Sequence, residues 1–230
     1  MVDVTRSTLS RLGSDPNRDG DGDTGGMASI VEVFADITCP FTHVGLKQVV
    51  RHVAEMDDPA DVVVRAWPLE WVNGVPLAVS AVMVKAKILD EQLGVDDFSG
   101  LRADRWPATT IPALNLAASA YERDAATGLA VSLELRAALF EHGVDVADPG
   151  ALGLIAAAHQ LPLPESEPSD AVQRDYDDGR ARGVKGSPHF FVGTDGFFCP
   201  ALDIGHDTDG HLTARFDSVM LAEFFDRVDH

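Results

Sequence analysis

The sequence predicts an α/β fold with an α-helical insertion subdomain, and three observations carry the prediction. Between residues 29 and 69 a β-branched run, an amphipathic helical pattern and a second β-branched run follow one another. An Ala- and Leu-rich stretch of helical periodicity then fills residues 77–161. Two aromatic-rich runs flank Gly-Thr-Asp-Gly at 193–196, ahead of a C-terminal amphipathic pattern. Hydrophobic periods that alternate in this way specify a sheet covered by helices.

Residues 1–28 are rich in Asp, Gly, Ser, Thr and Arg without periodicity and read as a disordered leader. Within it Asp15, Asn17, Asp19 and Gly20 match the first half of a calcium loop. Gly26 stands where the bidentate Glu belongs, so a solvated linker is the expectation. Residues 29–37, SIVEVFADI, read as a buried strand. Leu46, Val49, Val50 and Val53 then recur at i, i+3, i+4 and i+7, one face of a helix. Thr38 is the expected N-cap, and Pro40 is tolerated in the first turn, where its missing N–H would be unpaired anyway. Residues 61–69 form a second strand, completing a right-handed βαβ unit if the two strands are parallel.

Four helices with short connections are expected in 77–161, the last with Asp148 as N-cap and Pro149 as first helical residue. A helix at 169–183, a hairpin through 188–199 and a helix at 218–228 follow. The organisation is therefore a leader at 1–28, a sheet-bearing domain of 29–76 and 162–230, and a helical insertion at 77–161. Trp67, Trp71 and Trp106 are expected in the core or between the subdomains, and His142 and His159 on the surface.

Composition narrows the function. Hydrophobic residues at 45% and charged residues at 24% are ordinary for a globular protein, and 230 residues suffice for one core with an insertion. Apolar runs such as Leu152 to His159 fall far short of a bilayer span. A net charge of −19 without a basic cluster excludes nonspecific binding to nucleic acid or anionic membrane. The N-terminus has no basic segment followed by an apolar one, so the cytoplasm is the expected location. Nothing in the pattern sets the oligomeric state.

Two cysteines, Cys39 and Cys199, lie 160 positions apart, which in a reducing compartment favours free thiols over a bridge. Cys39 falls where the strand gives way to the helix. Unpaired N–H groups and the macrodipole at a helix start favour a thiolate, the nucleophilic form. Thr42, almost one turn on, is placed to donate a hydroxyl hydrogen bond to the sulfur, and His43 to add positive charge when protonated. The competing reading of Cys39 is a small buried core residue. Cys199 follows the hairpin, and Pro200 takes the chain out of the sheet. Asp203, His206 and Asp207 crowd the same loop but match no metal-ligand spacing, so no metal site is expected.

Two segments, VFADITCPFTHVG at 33–45 and DDGRARGVKGSPHFFV at 177–192, together resemble the DsbA-like thioredoxin-fold family, including its cytoplasmic FrnE-like branch. LFEHGVDVADPGALGLIAAAHQL at 139–161 is similar to that family's helical insertion. The resemblance implies a thioredoxin-like fold, thiol–disulfide exchange at Cys39 with Thr42 beside it, and a cis Ser187–Pro188 peptide facing the thiol. It also implies that Pro40, Phe41, His43, Ser187 and Pro188 line a site for a thiol or disulfide substrate, protein or small molecule.

The chain departs from the family's C-P-x-C, because Thr42 stands at the second cysteine's position and cannot attack a mixed disulfide. Three outcomes stay open. An external low-molecular-weight thiol (glutathione or equivalent) resolves the intermediate, with no cofactor tightly bound. Alternatively, Cys199 is a distant resolving thiol. Finally, the site has moved toward the related kappa-class glutathione transferases and 2-hydroxychromene-2-carboxylate isomerases, which activate the sulfur of a thiol cofactor. A non-enzymatic binding protein that kept Cys39 is the rival from outside enzymology.

Overall fold

The structure is a computed structural model that describes residues 29–228. The expected leader and its half calcium loop lie outside the described residues.

Strand β1 (Ile30–Ala35) is followed by helix α1 (Pro40–Val53) and strand β2 (Asp61–Ala66), and β1 and β2 pair in parallel. Strands β3 (His189–Val192) and β4 (Asp195–Phe198) form the expected hairpin, and β3 lies antiparallel on the other side of β1. The sheet order is β2-β1-β3-β4. This is the thioredoxin-like arrangement that the resemblance implies.

Alternation along β1 decides both faces of the sheet. Val31, Val33 and Ala35 pack with Val62 and Val64 against Leu46, Val49 and Val53 of α1 and against Phe224 and Phe225. Those two phenylalanines belong to α8 (Ser218–Val228), the expected C-terminal helix. On the opposite face Phe34 meets Trp67 and Phe191 edge-on, beneath Tyr176 of α7 (Asp170–Ala181). A Cβ on Gly179 of α7 would lie 2.7 Å from Trp67 and 2.9 Å from Phe34, so helix and sheet meet this closely only because that residue is glycine. Gly179→Ala should therefore destabilise the protein by about 1–3 kcal/mol in denaturant unfolding, the usual range for overpacking.

Between β2 and α7 the chain forms a short helix, α2 (Leu69–Asn73), then α3 (Val79–Leu93), a 3₁₀ turn, α4 (Ile111–Arg123), α5 (Ala125–Phe140) and α6 (Pro149–Ala158). Asp148 caps α6 by accepting from the Ala151 N–H, with Pro149 first in the helix, as the sequence predicts. One apolar cluster runs from Ile37 and Val44 through Leu114, Leu135 and Leu139 to Cys199 and Leu202, so the inserted helices share their core with the site-bearing segments.

Three features differ from expectation. The second strand ends at Ala66, short of the expected residue 69, and Leu69 instead opens α2. The residues after Cys199 are not a loop but a second hairpin, β5 (Leu202–His206) and β6 (Leu212–Phe216). Gln92 at the end of α3 serves its edge, accepting from the Ala214 N–H at 2.7 Å and donating to the Leu212 carbonyl. The N-cap of α1 is Cys39, not Thr38. Thr38 is drawn back toward the strand, because its N–H and hydroxyl both donate to Asp36 Oδ1, at 2.7 and 2.5 Å.

Candidate active site

Cys39 holds the extended conformation of an N-cap, its carbonyl accepting from the His43 N–H at 3.1 Å, with Pro40 opening the helix. Its side chain is 4% exposed, and Sγ donates to the Ser187 carbonyl at 3.0 Å. The Ser187–Pro188 peptide is cis. The segment carrying it is anchored twice. The Ser187 hydroxyl accepts from the Asp36 N–H at 3.0 Å, and His189 Nδ1 accepts from the Lys185 N–H at 3.1 Å. The structure thus brings Cys39, Pro40, Thr42, Ser187 and Pro188 together.

Thr42 does not serve the sulfur directly. Its hydroxyl shares a 2.8 Å hydrogen bond with the Ser187 hydroxyl, which already holds Asp36, so Thr42 ties the helix start to the Ser187–Pro188 segment. The structure does not bring the His43 ring together with them. Its ring turns away from the thiol, is 2% exposed, and packs between Phe98 and Phe140, with Nε2 at 3.1 Å from the Asp97 carbonyl and 3.2 Å from Glu141. Burial, aided by Lys47, pushes the imidazole down to about 4, against the pull of Asp97 and Glu141. At neutral pH it carries no charge to lend to Cys39.

Cys199 closes in on the same site from the hairpin. Its N–H donates to the Pro188 carbonyl at 3.2 Å, and it sits at φ 52°, a left-handed conformation uncommon outside glycine. Both cysteines are free and buried. Burial, together with the nearby Cys39, pushes the Cys199 thiol up to about 12, which leaves it almost wholly protonated at neutral pH.

A cavity of about 340 Å³ opens beside Ser187 and Cys199, walled by Phe41, Phe198, Leu202, Ile204 and Met220. Phe198 and Met220 remain 52% and 39% exposed, so this wall faces whatever enters. Asp203 and Asp217 reach the cavity too, but Asp203 is paired with Arg215 at 2.5 Å and Asp217 caps α8 through the Met220 N–H. A larger cleft of about 420 Å³, holding Arg65, Tyr121 and Asp175, is lined by neither cysteine. Two groups among the described residues could geometrically share a metal ion. In His43–Asp97–Glu141 the Lys47 ammonium already binds both carboxylates, at 2.6 and 2.7 Å, and Asp207–Asp209–His211 lies exposed on the β5–β6 turn.

Two site residues escaped the sequence reading. Asp36, 1% exposed, accepts four hydrogen bonds, from the Thr38 N–H and hydroxyl, the Leu69 N–H and the Thr110 hydroxyl, and so fixes the loop that ends in Cys39. Arg136 of α5 is fully buried, with Nη2 donating to the Asp36 carbonyl at 3.3 Å. A cation amid Val131, Leu135 and Leu139 was the signal available for it.

The family described as DSBA-like thioredoxin domain matches residues 30–205. No curated protein matches. Among solved structures, a probable DsbA oxidoreductase from Streptomyces coelicolor superposes with TM-score 0.60 at 20% identity, covering 88% of this chain and 91% of that one. The cytosolic disulfide reductase DsbM from Pseudomonas aeruginosa, with GSH, gives 0.55 at 16% identity, covering 87% and 96%. A 2-hydroxychromene-2-carboxylate isomerase gives 0.54 at 13%, covering 74% and 88%. At these identities the likeness is one of fold. No helix among the described residues is long and apolar enough to cross a membrane.

Proposed function

The chain belongs to the family of DSBA-like thioredoxin domains, and from that premise we propose that it is a cytoplasmic thiol-dependent oxidoreductase that exchanges disulfides through Cys39 alone. The carrying observation is a thiol at the start of α1, hydrogen-bonded at 3.0 Å to the carbonyl of Ser187, with a small-molecule-sized cavity beside that residue. The Cys39 thiol gives up its proton to solvent, and the thiolate attacks one sulfur of a substrate disulfide. The other sulfur departs as thiolate, leaving a mixed disulfide on Cys39. A second low-molecular-weight thiolate then attacks the substrate-derived sulfur of that mixed disulfide and frees Cys39.

Resolution from outside is favoured over resolution by Cys199, whose buried thiol is pushed up to about 12 and supplies almost no thiolate at neutral pH. The cavity of about 340 Å³ beside Ser187 has room for a small thiol such as glutathione or an equivalent, bound transiently. The same cavity supports the second reading, a transferase or isomerase in which the small thiol stays as cofactor.

Alkylation of the folded protein tests the assignment. Cys39 should react with iodoacetamide well before Cys199, because only Cys39 stands at a helix start and Cys199 is held protonated. If Cys199 is labelled first, or Cys39 stays inert until unfolding, Cys39 is a core residue and not a nucleophile.

A further inference from the structure

The Phe41 wall of the site has a cation beside it. Lys85 Nζ stands 5.6 Å from the centre of the Phe41 ring, within the range of a cation–π contact. Phe41 in turn lines the cavity with Ser187 and follows Cys39 by two residues. The placement of Lys85 comes from α3. Val82, Ala86 and Leu89 bury one side of that helix. Lys85 and Gln92, seven residues apart, share another side, and Gln92 bonds to β6 of the second hairpin. Leu202, Asp203 and Ile204 of the paired strand β5 line the cavity. Lys85 is thus held, half-buried, on the side of α3 that meets Phe41 and the second hairpin.

Lys85 is also set apart by its lack of a carboxylate. Acidic residues outnumber Lys and Arg by 37 to 18, so a half-buried cation without an acid beside it is an exception in this chain. Of the four lysines, Lys47 binds Asp97 and Glu141, and Lys87 pairs with Glu91 one turn along α3. Lys185 lies exposed on the segment that leads into Ser187. Lys85 has Ala81, Val82, Ile88 and Leu89 at the helix positions that could have supplied a partner. Among the described residues it forms no ion pair, and its charge rests against the Phe41 ring. A ring face attracts an ammonium yet leaves its three N–H donors available to an acceptor. The two carboxylates on the cavity wall are already met, Asp203 by Arg215 at 2.5 Å and Asp217 by the Met220 N–H at 2.9 Å.

We propose that the small thiol exchanged at Cys39 is an anionic one, bearing at least one carboxylate, and that Lys85 is the residue that selects it. The inference rests on Cys39 exchanging disulfides with a small thiol. Phe41 keeps the ammonium at the edge of the cavity, and the flexible lysine stem brings it to a carboxylate of a ligand seated between Phe41 and Ser187. A net charge of −19 repels an anionic ligand at long range, so its capture depends on a local cation. A neutral disulfide gains nothing from Lys85, and a cationic one is disfavoured by it.

The test is the rate at which three symmetrical disulfides modify Cys39 in the full chain: oxidised glutathione (anionic), hydroxyethyl disulfide (neutral) and cystamine (cationic). Each modification releases one small thiol, which is counted, and each rate is divided by that of a free model thiol with the same disulfide. Lys85→Met keeps an unbranched stem and removes the charge. The rate with oxidised glutathione should then fall about fivefold or more relative to hydroxyethyl disulfide, the worth of one accessible charged hydrogen bond. Cystamine should hold its rate or gain. Lys85→Arg should keep the wild-type preference, and Lys87→Met, which removes an exposed charge from the same helix, should leave all three rates in place. A folded Lys85→Met protein in which oxidised glutathione loses no more than hydroxyethyl disulfide overturns the inference, and Lys85→Gln makes the same comparison if that variant does not fold. A wild type that favours cystamine over oxidised glutathione also overturns it, because Asp203 and Asp217 then set the charge of the site. Wild-type Cys39 that reacts with none of the three overturns the proposed function itself, a result distinct from either.

Discussion

Thr42→Cys should turn a poor dithiol oxidase into an efficient one. In the wild type the Cys39 sulfur and the Thr42 hydroxyl converge on one residue, Ser187, the first through its carbonyl at 3.0 Å and the second through its hydroxyl at 2.8 Å. A sulfur at position 42 therefore stands beside the first one, at the C-P-x-C spacing. Its attack on a mixed disulfide at Cys39 is then intramolecular. Well-placed neighbouring groups of this kind reach very high effective molarities, so oxidation of a dithiol peptide should rise by on the order of a hundredfold or more. Thr42→Ser, which keeps the hydroxyl, should show no gain. A folded Thr42→Cys protein that is no faster than wild type would mean that disulfide chemistry does not take place at this helix start.

Cys39→Ser should lower exchange of small disulfides by on the order of a thousandfold, to the uncatalysed background, because a hydroxyl is not appreciably ionised at neutral pH. The fold should not suffer. The residue is the N-cap of α1, and the thiol makes no capping bond there. Serine is among the preferred N-cap residues and can donate to the Ser187 carbonyl as the thiol does, so stability should hold or rise by up to about 1 kcal/mol. Loss of exchange with an unchanged or higher Tm would locate the chemistry at the sulfur. Retained exchange would move it elsewhere in the molecule.

The parts of this protein that sequence made legible are those with strong local periodicity. The βαβ unit, the aromatic hairpin and the inserted helices follow from spacing, and Asp148–Pro149 marks the start of α6 because cap chemistry is local. The second hairpin was hidden because Leu-Asp-Ile-Gly-His carries little strand preference, and part of what holds it comes from far away in sequence, Gln92 of α3 on its edge and the core around Leu202 and Ala214. The cap shifted by one residue because Asp36 outcompetes the helix for the Thr38 hydroxyl, a choice settled by the tertiary setting of Asp36. His43 looked like a neighbour of the thiol in sequence, yet its position on the helix aims it at Phe98 and Phe140. Arg136 lies 97 positions from Cys39, and only the packing of α5 against the β1–α1 loop brings it to the site.

The most direct test of the central claim, exchange through a single thiol, is peptide mapping of the wild-type protein after incubation with a small disulfide and quenching in acid. The account predicts a mixed disulfide between the small thiol and Cys39, with Cys199 recovered as a free thiol and Cys199→Ser giving the same product at a similar rate. A Cys39–Cys199 bond as the main product, or loss of turnover in Cys199→Ser alone, would contradict it and place the missing half of the motif in the hairpin segment.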